Sequence, residues 1–349
     1  AEREFMRTEH CQFARLGKVG EGAFGTVFRA HNRVTGTDVA LKQIRIRDVR
    51  SLPVSAVREM NALNRLQHPN VMPLIGVHTH GANLVLVMPF VPHSLAALFD
   101  EREAPLPERL AGALARMLLA GLSAIHAEGL LHRDIKPGNL LIAPSGRLYI
   151  ADFGQARLLP KELDASLSHA VATRWYRAPE LLLGSRRYGP AVDMWSTGCV
   201  LAQLLTLSPL LPGDSDIDQL FRVIHFLGTP TAASWPKFKT MPDASKIEVP
   251  AGLPPTPLAS MIPLASDLAL DLLDAILRYD ELRRLPAHAA LRHGWIIASG
   301  DSVPVAAQLF APLAPDDDSR AAAAAVKPSS GDGSVHFPHR LCQQPGAPP

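Results

Sequence analysis

One short stretch, His132-Arg133-Asp134-Ile135-Lys136-Pro137-Gly138-Asn139, carries an aspartate, a lysine and an asparagine at fixed offsets. Thirteen residues after Asn139 stands Asp152-Phe153-Gly154. Taken singly these are ordinary: Asp-Phe-Gly makes a turn, and His-Arg-Asp is more often a surface salt-bridge cluster. In this order and spacing they constrain the fold, because the two acids, the cation and the amide are the groups that phosphoryl transfer needs in one place. A phosphoryl group in flight carries charge on its oxygens, so the acceptor hydroxyl must be positioned and that charge neutralised, with little covalent work left to the protein. Asn139 and Asp152 offer the oxygens preferred by Mg²⁺, a hard cation of octahedral habit that keeps part of its water shell.

Upstream, Gly20-Glu21-Gly22-Ala23-Phe24-Gly25-Thr26-Val27 spaces three glycines as a phosphate-covering loop does. The competing reading is a dinucleotide-binding turn, which should open a helix. Here the glycines run into Val27-Phe28-Arg29-Ala30, a turn at Val34-Thr35-Gly36-Thr37, and Val39-Ala40-Leu41-Lys42. Apolar and β-branched residues on both sides of a turn signal predict a hairpin. A helix is predicted from Pro53, with Glu59 in its second turn, where it can orient Lys42.

Together these residues resemble a protein kinase, and the resemblance implies an α+β, bilobal fold with a β-rich N-lobe and a helical C-lobe. It implies ATP and Mg²⁺ as cofactors, with Asp134 orienting or deprotonating the acceptor hydroxyl and Lys136 reaching the γ-phosphate. Lys42, held by Glu59, would bind the α- and β-phosphates, and Thr173 completes the catalytic set. Asn139 and Asp152 would hold the metal. Gly20, Gly22, Gly25, Val27, Ala40 and Lys42 are expected to line the nucleotide cleft. In the hinge that follows Leu84-Val85-Leu86-Val87, Met88 is the gatekeeper, Pro89 offers its carbonyl to adenine, and Val91 offers both backbone groups.

Ser168 and the run Val171-Ala172-Thr173-Arg174-Trp175-Tyr176-Arg177-Ala178-Pro179-Glu180 narrow the resemblance to the cyclin-dependent kinase group. Pro53 to Glu59 and Leu227-Gly228-Thr229-Pro230 agree with it, and Trp235-Pro236 and Pro242-Asp243 resemble the cell-cycle-related kinase branch. The resemblance implies that Ser168 is an activating phosphosite, because a phosphoserine orders a loop by pairing with cations and Arg58, Arg133 and Arg157 match the group's three-arginine pocket. Arg177 matches the arginine that shapes the activation segment so that a proline fits after the target Ser or Thr. Asp193 should brace the catalytic-loop backbone, and Glu180 and Arg284 should form a buried pair.

The chain departs from the group at Ala23-Phe24, where many members carry a Thr-Tyr pair that inhibitory kinases phosphorylate; neither side chain here has a hydroxyl. Ser94 replaces an acid common after the hinge, with an expected change in ribose or inhibitor contacts. The implied partners are a protein substrate, another kinase among the candidates, an upstream activating kinase, and a cyclin or other activator at the Pro53 to Glu59 helix. The branch suggests cell-cycle progression or control of cilium and flagellum length.

Boundaries follow from composition. Residues 12–298 read as the kinase domain, with the N-lobe at 12–87, the hinge at 88–94 and the C-lobe at 95–298. Leu110, Leu114, Met117, Leu118, Gly121, Leu122 and Ile125 keep a helical period leading into the catalytic loop. Residues 299–349 turn to Ala, Pro, Ser and Gly and read as a largely disordered tail. With 35 basic and 33 acidic residues, the net charge of +2 gives no case for nucleic acid. Three scattered cysteines, Cys11, Cys199 and Cys342, suggest reduced thiols and a cytoplasmic or nuclear setting, with cilium association among the expectations. No apolar run looks long enough for the roughly 18 residues of a membrane span, and no signal-peptide pattern opens the chain. A scaffold acting through the tail and a small-molecule kinase stand as alternatives; the presence of Lys42, Asp134 and Asp152 speaks against a catalytically dead fold.

Overall fold

The computed structural model describes residues 12–22, 25–46, 53–80, 83–159, 167–168 and 171–300, together with Val305 and Leu309. Strand period builds its first layer. β1 (Phe13–Gly22), β2 (Gly25–Asn32), β3 (Thr37–Arg45), β4 (Gly76–His80) and β5 (Asn83–Pro89) form an antiparallel sheet in the order β1-β2-β3-β5-β4. The hairpin predicted from the apolar and β-branched residues flanking the Val34 to Thr37 turn is therefore present as β2 and β3. Its turn is fixed by Asn32, whose side-chain oxygen accepts from the backbone N–H groups of Val34 and Thr35 at 3.0 and 3.3 Å.

Because successive strand residues face opposite ways, β3 and β5 serve two cores. Val39, Leu41, Val85 and Val87 pack with Ala30 on one side. Ile44, Leu84, Leu86 and Met88 join the main core on the other. The register pairs Lys42 with Leu86 and Ala40 with Met88, so period two alone sends Ala40, Lys42 and Met88 to the same face. Against this face packs α1 (Val54–Arg65), which starts after Pro53 and buries Ala56, Glu59, Ala62 and Leu63 at three- to four-residue spacing.

A short strand, β6 (His93–Ser94), and α2 (Leu95–Asp100) lead into α3 (Glu108–Ala127). Leu110, Leu114, Leu118, Leu122 and Ile125 are all buried on α3, as their spacing predicts. Gly121 is required there, since a Cβ would lie 2.8 Å from the Asn70 carbonyl oxygen and 2.9 Å from Ile150 Cδ1. One expectation is corrected here: by length and apolar composition α3 could cross a membrane, although no run looked long enough in the sequence. The helix is the inner axis of the C-lobe, with 61 % of its apolar window buried.

β7 (Leu130–Leu131), β8 (Leu140–Ile142) and β9 (Leu148–Ile150) carry the loops of interest, and β10 (Arg157–Leu158) pairs with β7. α4 (Pro179–Leu182), α5 (Ala191–Thr206) and α6 (Asp216–Leu227) follow, then α7 (Leu258–Met261), α8 (Asp267–Ile276), α9 (Ala287–Ala290) and α10 (Gly294–Ala298). α5 is apolar nearly all round and is buried from Val192 to Leu205, as a central helix must be. Ser299, Val305 and Leu309 are also buried. Residues 311–349, most of the expected tail, lie outside the described residues, as do Ala23, Phe24, residues 160–166 and residues 169–170.

Candidate active site

Two strands and a helix bring three charges together. Lys42 Nζ on β3 donates to both carboxylate oxygens of Glu59 on α1, each at 2.7 Å, and to Asp152 Oδ1, also at 2.7 Å. Burial alone would lower the lysine's pKa, but the charges of Glu59 and Asp152 outweigh it and hold Lys42 above its ordinary value. Burial would raise Asp152; the charge and hydrogen bond of Lys42 pull it below the usual carboxylate range. Glu59 stays above that range, because its burial outweighs Lys42. The lysine is thus a fixed cation at the back of the cleft.

The catalytic loop is strained and clamped. Arg133 sits at φ 67°, a left-handed conformation that costs a non-glycine residue on the order of 1–2 kcal/mol. Asp193, in the first turn of α5, accepts from the backbone N–H of His132 at 2.9 Å and of Arg133 at 2.8 Å, and it pairs with His126 Nε2 at 2.9 Å. Its bracing role, expected from resemblance, has this geometry. Burial works to raise the Asp193 pKa, yet the His126 hydrogen bond, the nearby histidines and the His132 amide hold it low. Arg133 Nε in turn donates to the Gln155 carbonyl at 2.7 Å, tying the loop to the segment after Asp152.

Asp134 is held by Thr173, Lys136 and Asn139. Its Oδ1 accepts from the Thr173 amide and hydroxyl, both at 3.1 Å. Its Oδ2 meets Lys136 Nζ at 2.8 Å and Asn139 Nδ2 at 3.0 Å. Lys136 also donates to the Thr173 hydroxyl at 2.9 Å. The carboxylate therefore has one orientation, as a group that must direct an incoming hydroxyl requires.

The chemistry of the donors fits a hard cation. Asn139 spends its amide nitrogen on Asp134, on the carbonyl at 2.8 Å as well as Oδ2, which leaves its oxygen to offer. Asp152 spends Oδ1 on Lys42 and on the Gly154 amide, which leaves Oδ2. Among the described residues no group of three or more His, Cys, Asp or Glu gathers for a metal. A cation here would complete its shell with phosphate oxygens and water, the habit of Mg²⁺.

A cleft of about 510 Å³ joins these groups, a size suited to a cofactor. Gly20, Gly25, Val27, Ala40, Lys42, Met88, Pro89 and Val91 line it as expected, with Asn139 and Asp152 at its inner end. Gly22 pairs with Gly25 across the β1–β2 hairpin. Gly25 has no substitute, since it stands at φ +141° and a Cβ would come within 2.3 Å of the Gln43 carbonyl oxygen. Leu141, two residues after Asn139 on β8, also lines the cleft, and no motif singled it out. Ser94 lines the cleft too, but its hydroxyl caps α2 by accepting from the Ala97 amide at 3.1 Å. Where the group commonly has an acid, the hydroxyl here is engaged in helix capping.

Arg58, Arg133 and Arg157 gather as the resemblance implied. Burial first, then the charges of Arg133 and Arg157, lower the pKa of Arg58. Ser168 is exposed, and its carbonyl accepts from the Tyr188 hydroxyl at 2.5 Å. That hydroxyl accepts from Arg133 Nη1 at 3.0 Å. Tyr188 escaped the sequence reading, since it lies 55 residues from Arg133. Further along, Arg177 donates through Nε to the Val171 carbonyl and through Nη2 to the Ala172 carbonyl, both at 2.9 Å. Ala172 stands at φ 66°. Glu180 and Arg284 form the expected buried pair, with two contacts of 2.7 Å.

Comparison with known proteins agrees with this geometry. The protein kinase domain family model matches residues 13–296. Cyclin-dependent kinase 20 of Danio rerio is 43 % identical over 284 residues, covering 81 % of this chain and 82 % of that protein. The Homo sapiens protein of the same name is 42 % identical over 290 residues, covering 82 % of this chain and 84 % of its own. Among solved structures, the yeast RNA Pol II CTD kinase CTDK-1 complex contains a chain with a TM-score of 0.74 at 31 % identity, over 80 % of this chain and 91 % of that one. The fold, the paired Lys42 and Glu59 and these relatives agree, and the chain belongs to the protein kinase family, as a Ser/Thr kinase of the cyclin-dependent group on the cell-cycle-related kinase branch.

Proposed function

We propose that this kinase phosphorylates serine or threonine followed by proline in protein substrates, after its own Ser168 has been phosphorylated by an upstream kinase. The observation that carries the reading is the Ala172 carbonyl, which Arg177 already occupies. A residue after the target Ser or Thr normally brings an N–H that loses water on docking and needs an acceptor. Proline has no N–H and loses nothing. A buried donor left unpaired costs about 1–3 kcal/mol, a preference of roughly five- to 150-fold.

Asp134 then aligns the hydroxyl and takes its proton, while Lys136 and Thr173 hold Asp134 in place. Lys42 anchors the phosphates of ATP, and the glycine hairpin covers them. Asn139 and Asp152 would hold Mg²⁺, which would neutralise phosphate charge. The three arginines supply the cations for phosphorylated Ser168: burial and the charges of Arg133 and Arg157 disfavour a charged Arg58 until a dianion joins the group. A cyclin or another activator would dock on α1, where Val54 is exposed. The branch supports action on a downstream kinase in cell-cycle or cilium and flagellum length control, from the cytoplasm, the nucleus or the cilium.

The test is a peptide-array phosphorylation assay on purified protein, with and without candidate cyclins. Asp134→Asn should remove about 10²-fold or more of the activity, and Ser168→Ala should fail to gain activity with an upstream kinase. Full activity in Asp134→Asn, or undiminished activation of Ser168→Ala, would refute the respective assignment.

A further inference from the structure

Arg177 uses its Nε and Nη2 on the activation segment, and its Nη1 donates to Asp216 Oδ2 at 2.8 Å. The same carboxylate accepts from Arg174 Nε through Oδ1 at 3.0 Å. Arg174 Nη1 also donates to the Asp214 carbonyl at 2.9 Å, and Trp175 Nε1 to the Gly213 carbonyl at 3.1 Å. Arg174, Trp175 and Arg177 are thus fastened to Gly213, Asp214 and Asp216, where a loop meets the start of α6.

An isolated pair at this exposure would deserve little weight, since the Asp216 side chain is 55 % exposed and most surface ion pairs contribute little. The surroundings alter that. The loop is anchored from below by Gln219, fully buried, whose Oε1 accepts from the Gly213 amide at 2.9 Å. Ser215 caps α6 through the Asp218 amide at 3.1 Å, and Asp216 is the first residue of that helix, where its negative charge is favoured. The Arg177 side chain is only 16 % exposed. Asp216 is therefore held in place before substrate arrives, and it fixes the end of Arg177 opposite to the atoms that hold Val171 and Ala172.

We infer that Asp216 is a positioning residue for substrate selectivity. By fixing Arg177 it keeps the Ala172 carbonyl occupied, and so sets how strongly the enzyme prefers proline after the phosphorylated residue. The inference rests on the proline-directed reading above. Without Asp216, Arg177 could swing toward solvent and release the two carbonyls, and Ala172 could leave its left-handed conformation and offer its carbonyl to an ordinary N–H.

The experiment compares kcat/KM for two peptides that differ only in proline or alanine after the acceptor serine, using the full chain as wild type, Asp216→Ala and Asp216→Asn. The ratio between peptides should fall about three- to tenfold in Asp216→Ala, the scale of a lost charge-assisted contact. It should fall less in Asp216→Asn, whose amide oxygen can still accept from one arginine, and this variant serves if the alanine variant folds poorly. KM for ATP should not change. An unaltered ratio, or an equal loss on both peptides, overturns the inference alone. A wild-type enzyme with no proline preference overturns the proline-directed reading and the inference together.

Discussion

Replacing Glu180 with alanine should destabilise this kinase strongly without touching its chemistry. Arg284 lies fully buried, and all five of its N–H donors are engaged. Two reach Glu180 at 2.7 Å, and the others go to the carbonyls of Arg278 at 2.7 Å, Ala191 at 3.0 Å and Tyr279 at 3.2 Å. The guanidinium also lies over Trp195, 5.1 Å from the ring centre. With the Glu180 and Arg284 side chains 2 % and 0 % exposed, no water stands ready to replace the lost carboxylate. Three neutral carbonyls would face a buried cation without a counter-charge. Breaking such a pair from one side costs about 3–5 kcal/mol, a large share of the roughly 5–15 kcal/mol that holds a domain folded. For a domain of this size the unfolding midpoint should fall by on the order of 10 °C. Differential scanning calorimetry measures that shift, and activity per folded molecule, assayed well below the midpoint, should survive because neither residue lines the cleft. Replacing both partners with methionine should recover part of the loss, since a packed apolar pair avoids the stranded charge. A shift of only 1–2 °C, on the order of a surface pair's worth, would refute the argument, and so would a double variant worse than either single one.

Two more predictions follow from titrating groups. The pKa of Asp193 is depressed in the fold, so its stabilising contribution is complete above its unfolded value, about 3.9, and is lost as pH falls through the folded value. The stability gap between wild type and Asp193→Asn should therefore be constant at neutral pH and narrow as the pH drops below about 4, measured by urea unfolding across a pH series; a gap that widens in acid would contradict the sign. Burial pushes the Cys199 thiol up to about 12, so iodoacetamide at pH 8 should leave Cys199 unmodified in the native protein and alkylate it in denaturant, as read by peptide mass spectrometry. Rapid native labelling would show that α5 opens.

Much of the site was legible because the chemistry is local. Asp134, Lys136 and Asn139 share one short loop, and the turn signal after Val27-Phe28-Arg29-Ala30 marked a hairpin where a helix was the alternative. Strand period placed Ala40, Lys42 and Met88 on one face, and helical period placed Glu59 on the buried face of α1. Ser94 shows where this reasoning stops: the exchange of an acid for Ser pointed to altered ligand contacts, but only the fold shows that the hydroxyl caps the start of α2. The apolar length of α3 was misjudged because Gly, Ser and Arg interrupt the run without lowering its mean hydropathy enough.

From the sequence alone came the two lobes, the phosphoryl-transfer residues and the group to which the kinase belongs. The residue roles and the group came through motifs that resemble a known family, and the helices and strands through periodicities of two and 3.6, which depend only on backbone geometry. The tertiary structure decided which distant charges meet. Lys42 and Asp152 are 110 residues apart, and Arg177 and Asp216 39. No local rule pairs residues at such separations, because any exposed acid could serve any exposed base until packing of the sheet, α1, α5 and α6 removes water and fixes a single partner.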